Sequence, residues 1–411
     1  MIFQQILRHF KIMKTLIALT IYALFSSMAF AINLSKNIQL HGFATQGYIK
    51  TDNYNFFGET SRVKGDIDFR ELGINASYRA FSNFHIATQL ISREAGAVDN
   101  STIQIDYALA DLQITSRNQY NFGLRVGRVK NPLGFYNETR DVAFTRNSIF
   151  LPQSIYFDRV RKLALSADGL HIYGQKRHKF GDFDFQFGIG YPRVDNETEI
   201  AIFKTDRDGL MKSNLSLIAH TSYSLNAGNQ KIALSWVRLS ADYMSTGAEN
   251  AVASNLKNAN FSFTPIILSA LSTHGDFTIS SEYALRFFQF NNMAPYVPED
   301  IADLTGESYY IQMQYRLTPL FEVFLRYDII YLDRNDKDGL KYEAKGYGNR
   351  IEQFAKDATA GIAFHINSAW LLRAEYHHIE GTAWLPVQDN PEMSNNQKNW
   401  QLFSVLVSYK F

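Results

Sequence analysis

From Ile32 onward apolar and polar positions alternate with a period of two instead of the helical period of about 3.6. Such alternation belongs to strands whose two faces meet different surroundings. At the C-terminus Phe403, Val405, Val407, Tyr409 and Phe411 share one face; Ser404, Ser408 and Lys410 lie opposite, with Leu402 and Leu406. Phe321, Val323, Leu325, Tyr327, Ile329 and Tyr331 alternate with Glu322, Arg326 and Asp328. Phe277, Ile279, Tyr283, Leu285 and Phe287 alternate with Thr278, Ser280, Glu282 and Arg286. About sixteen such segments follow one another, each as long as a tilted membrane strand of roughly 9–11 residues or more. Strands 1, 2 and 9 change parity midway, which suggests bulges there or a register wrongly assigned from the pattern.

The links between these segments alternate in length. Short ones follow the even strands, as at Ala80-Phe81-Ser82, Leu317-Thr318-Pro319 and Asn367. Long polar ones follow the odd strands, as at Thr51–Gly65, Asn131–Leu163, Arg193–Met211, Asn291–Thr305 and Arg334–Gln353. A soluble sandwich has no reason to alternate its links in this way, whereas a transmembrane barrel does. The pattern therefore predicts an all-β fold, a closed antiparallel transmembrane β-barrel of about 16 strands, with both termini on the side of the short turns. Aromatic residues gather at strand ends, Phe364, Trp370 and Phe411 at one rim and Phe287, Tyr309 and Tyr331 at the other. Two aromatic girdles at headgroup level are what a bilayer selects.

The front of the chain carries a different signal. Arg8, Lys11 and Lys14 precede an apolar run from Thr15 that ends in Ala29-Phe30-Ala31. Charged region, apolar core and small-x-small end read as a secretory signal peptide over 1–31, with Met13 an alternative start; 32–411 is then a single barrel domain. Composition agrees. With 32 Phe, 23 Tyr, 4 Trp and no Cys, disulfide scaffolds and thiolate-ligated metals are excluded. With 41 basic against 40 acidic side chains, there is no basic excess to bind nucleic acid.

A sixteen-strand barrel has room for water inside, so the polar stripes predict a wet lumen. The pore-lining residues expected on that face include Arg125, Glu282, Arg286, Arg316, Glu322, Arg326, Asp328, Arg373 and Glu375, with Gln89, Gln104 and Asp106. Two roles are open for these interleaved charges. They orient dipolar solutes and set ion preference, or they pair across strands and keep the wall hydrated. Basic residues slightly outnumber acidic ones, which predicts a mild anion preference. The link at about 131–163 greatly exceeds the usual ~4–6 residues and is rich in Phe135, Tyr136, Phe144, Phe150, Tyr156 and Phe157. Exposed to water these rings would be unfavourable. They predict a loop folded against the inner wall, with Arg140, Asp141, Arg146, Asp158, Arg159 and Arg161 turned to the passage; an outer cap or a subunit contact is the alternative. His377 and His378 are adjacent and point to opposite faces, so no metal site or other cofactor is expected. Asp195, Glu197 and Glu199 offer a cation bridge to lipopolysaccharide.

Several residues resemble a known group. Gly127-Arg128-Val129-Lys130-Asn131-Pro132-Leu133-Gly134 is similar to the exit from the fifth strand of Gram-negative phosphate-selective (O and P type) porins, and Asp168–Gly174 to the strand that re-enters after the long loop. The terminal strand, with Tyr409 and Phe411, resembles the signal by which outer-membrane proteins are taken up by periplasmic chaperones and barrel-insertion machinery. The dense lysine and arginine ladder of phosphate selectivity is missing. The resemblance implies a homotrimeric porin of the bacterial outer membrane, in contact with outer-membrane lipid and lipopolysaccharide. Its inward-folded loop would narrow a passage for small polar or anionic solutes. An adhesin or structural barrel is the competing class. A barrel-type lipase is the enzymatic one, but no G-x-S-x-G elbow is present and the chain reads as no enzyme.

Overall fold

The computed structural model describes residues 32–204, 209–245, 259–294, 296–391 and 396–411. The expected signal peptide lies outside them. Sixteen antiparallel strands close a barrel. They are β1 (Ile38–Thr51), β2 (Asp66–Phe81), β3 (Phe84–Ala95), β4 (Asn100–Arg117), β5 (Tyr120–Lys130) and β6 (Ser166–His178). There follow β7 (Gly181–Pro192), β8 (Gly209–Ser213 continued by Ser216–Leu225), β9 (Gln230–Ser245), β10 (Ala259–His274) and β11 (Phe277–Asn291). The circuit ends with β12 (Asp303–Thr318), β13 (Phe321–Tyr331), β14 (Phe354–His365), β15 (Trp370–Gly381) and β16 (Asn399–Lys410). A short extra strand, Ile32–Ser35, folds back on β1.

Closure joins β16 to β1, with Lys410 opposite Phe43. Phe411 seals the seam: its N–H donates to the Gly42 carbonyl at 3.0 Å, and the Gly42 N–H donates back at 3.2 Å. A Cβ on Gly42 would lie 2.5 Å from the Phe411 ring. Gly42→Val should therefore unseat the ring and cost about 1–3 kcal/mol, as overpacking does. The check is the temperature at which the folded barrel loses its compact mobility on a gel; an unchanged transition would refute this role of Gly42.

The exterior is apolar where lipid must be met: Leu325 is 63 % exposed and Leu268 56 %. The parity changes have two distinct causes. Between β1 and β2 the register does shift, from Gly47 to Ile49. In β9 there is no bulge, and the register with β10 is the same at Gln230–Ser272 and at Tyr243–Ala259, with the ladder interrupted only opposite Pro265. The interruption lies in its neighbour β8, at 214–215. What changes along β9 is the medium. Its lower half points Ile232, Leu234 and Trp236 outward; its upper half points Arg238, Ser240 and Asp242 outward and buries Val237, Leu239, Ala241 and Tyr243. Sixteen residues tilted by about 40° rise roughly 40 Å, more than the apolar band of about 25 Å, so the upper half stands in water. There Asn214 and Asn260 each donate to the outward Asp242 carboxylate at 2.8 Å. The inner face is covered by folded chain.

Candidate functional site: a loop pinned across the lumen

The cover is the segment between β5 and β6, with Phe203 of the β7–β8 link against Tyr243, ring centroids 4.9 Å apart. The segment's two ends are tied together, because Asn131 and Asn137 both donate to the Ala164 carbonyl at 3.0 Å. Gly134, at φ +62°, turns the chain inward, where a Cβ would meet the Tyr156 hydroxyl at 2.4 Å. From that turn the loop crosses the barrel and is held on three sides.

The first anchor is Glu282 of β11, fully buried. Its carboxylate accepts from the Tyr156 hydroxyl at 2.6 Å, Ser269 Oγ at 2.6 Å, the Tyr310 hydroxyl at 3.0 Å and the Phe135 N–H at 3.0 Å. A buried carboxylate is tolerated only with its lone pairs filled, and these four donors fill them. The second anchor is the β13–β15 wall. Arg326 donates to Ser148 Oγ at 3.1 Å and the Phe150 carbonyl at 3.0 Å. Arg373 donates to the Ala143 carbonyl at 2.6 Å, Glu375 accepts from the Ile149 N–H, and Asp328 accepts from the Ser154 N–H at 3.4 Å. Phe150 then packs edge-on to Phe56, with ring centroids 5.2 Å apart.

The third anchor is ionic. Arg146 pairs with Glu71 of β2 at 2.7 Å, and Arg140 with Asp158 at 3.0 Å. Arg93 of β3 lies 3.5 Å from both Glu71 and Asp158. Lys130 bridges Asp106 of β4, at 2.7 Å, and Asp141, which also pairs with Arg161. The loop charges thus sit elsewhere than their sequence suggested. Arg140, Asp141, Arg146 and Arg161 are buried, and Asp158 and Arg159 half-buried. All but Arg159 are paired, with the wall or with one another, since charges leaving water need partners.

The wall residues divide in the same way. Glu282, Arg326, Asp328, Arg373 and Glu375 lie beneath the loop as its anchors. Arg316 and Glu322 pair at 3.3 Å by the short-turn rim. Arg125 pairs with Asp111 at 3.0 Å, its guanidinium 4.5 Å from the Tyr173 ring centroid. The loop's own exposed carboxylate is Glu138, overlooked in the sequence because it stands among residues of the same polarity. Arg125 of β5, Lys130 and Lys231 of β9 are the cations that act on its carboxylate through space. Glu138 therefore looks across at the β5–β9 wall, the side without an anchor through Glu282 or Arg326.

No family model and no curated protein matches the sequence. Solved structures do match the fold. The anion-selective porin from Comamonas acidovorans superposes with TM-score 0.57 and 13 % identity, covering 91 % of this chain and 99 % of that one. The outer membrane channel DcaP of Acinetobacter baumannii gives 0.56 and 12 %, covering 94 % and 100 %. This is the outer-membrane porin fold. OmpF of Salmonella typhi, in complex with daunomycin, gives 0.55 and 11 %, covering 93 % and 100 %. Identities this low establish architecture; the porin-fold loop's contacts come from this chain's own residues.

Proposed function

We propose that this porin-fold barrel is a passive channel of the bacterial outer membrane for small polar and anionic solutes, without enzymatic activity. The observation that carries the reading is the loop held across the lumen by three sets of buried anchors, its one exposed carboxylate facing Arg125 and Lys231. A preformed constriction with opposed charges across it selects by size and by sign. Lipid and lipopolysaccharide surround the barrel in this reading. The proposed assembly is a homotrimer joined through lipid-facing side chains near the first and last strands; one structure of Vibrio cholerae OmpT is itself a trimer form.

Liposome swelling with sugars and amino acids of graded size tests the channel, and a barrel that admits none of them points to the adhesin or structural class. Selectivity follows from Glu138. Acidification that protonates it leaves Lys231, beside the Asp111-paired Arg125, to bias the passage toward anions. The anion-to-cation permeability ratio should rise as pH falls through that titration, by roughly twofold to fivefold for a charge worth about 1 kcal/mol across a few ångströms of water. Glu138→Gln should hold the higher ratio at every pH. Reversal potentials in a salt gradient decide the matter, and a cation-preferring Glu138→Gln variant would refute it.

A further inference from the structure

Between the pinned loop and the inner faces of β10 and β11 lies a cavity of about 190 Å³. Phe261, Phe263, Phe288 and Phe290 form much of its wall, and the Phe263 and Phe288 rings stack with centroids 4.9 Å apart. Among the described residues lining it are four cations and no carboxylate. Two of the four are already neutralised: Arg140 by Asp158 at 3.0 Å, and Lys204 by Glu352 at 2.5 Å. Among the described residues Arg286 and Arg159 make no ion pair; Asp328 and Glu352 act on them only from beyond ion-pair distance. Arg286 is 4 % exposed and donates one Nη to the Tyr331 carbonyl at 2.9 Å. Arg159 reaches only two backbone carbonyls, those of Ala383 and Ala201 at 3.4 and 3.3 Å. In both, Nε is buried without a hydrogen-bond partner.

We infer that this cavity is a binding site for small aromatic carboxylates, with Arg286 and Arg159 recognising the anion and the phenylalanines the ring. A buried and a half-buried guanidinium, neither in a close ion pair, favour a carboxylate that gives both charge-assisted bonds. The apolar wall rewards a flat body that a small inorganic anion lacks. Size agrees, since an apolar cavity of about 150 Å³ takes a benzene ring. Burial pushes the Arg159 guanidinium down to about 10, which still leaves it charged at neutral pH.

Calorimetric titration of the purified full-length barrel with benzoate, benzyl alcohol and acetate tests the site at equilibrium. A barrel that proved sealed to solutes would leave the result standing, so the site and the channel fail separately. Benzoate should bind at least tenfold more tightly than either acetate or benzyl alcohol. Arg286→Met should abolish its advantage over benzyl alcohol, and Phe263→Ala should weaken both aromatic ligands. Should Arg286→Met fail to fold, Arg159→Gln, in the loop, carries the same expectation. Acetate binding as well as benzoate would reduce the site to a bare anion site. Benzoate and benzyl alcohol binding alike, or no benzoate binding at millimolar concentration, would equally overturn the inference.

Discussion

Replacing Phe144–Tyr156 with a short Gly-Ser linker should at least double the single-channel conductance, because that segment is the part of the loop that fills the lumen. It carries Phe150, packed on Phe56 and Phe69, together with Ile149 and Ile155, all buried. Its removal opens the space in front of β13–β15. Arg326, Asp328, Glu375 and Glu282 would lose loop partners, yet water entering a wider lumen would solvate them, so the variant should still close its barrel. Planar-bilayer recordings read the step size, and retained heat-modifiable mobility shows that the barrel has folded. A folded variant whose conductance is unchanged would end the constriction reading.

The second large effect is expected at Asp141. It is fully buried and is the shared partner of Lys130 and Arg161. Asp141→Ala leaves Arg161 without its close partner and Lys130 with Asp106 alone. Breaking one member of a buried pair in this way costs about 3–5 kcal/mol. The loss should appear as an earlier urea midpoint in detergent micelles and as noisier open-channel current, since the loop end beside β5 is freed. Asp141→Ala combined with Arg161→Ala should recover part of the loss, because the stranded charge is then gone as well. A change below about 1 kcal/mol in the single variant would show that the cluster does not hold the loop.

Periodicity along the chain was enough to read the sixteen strands, their order and the lipid-facing stripes. A strand between lipid and water writes its register into every second residue: Tyr309, Ile311, Met313 and Tyr315 all emerge exposed. The long link after β5 was legible for a similar reason, its density of rings being incompatible with open water. Side-chain direction within that link was not. A loop has no period, so nothing local distinguishes Arg146, buried against Glu71, from Glu138, exposed in the lumen. The ion partners are Glu71, Arg93 and Asp106, distant strand residues that only barrel closure brings beside the loop.

β9 shows the same limit from another direction. Its alternation was read as a break in register, when the backbone runs straight and the surroundings change from lipid to water outside and from water to packed loop inside. By itself, then, the sequence determined the class of fold, the faces of the strands and which link turns inward, because each rests on apolar area meeting or avoiding water within a few residues. Which charges lie in the passage, which hold the loop, and where two unpaired arginines share a cavity with four phenylalanines was decided only by tertiary structure. Those are relations between residues far apart in the chain, and electrostatic partners are chosen by proximity in space.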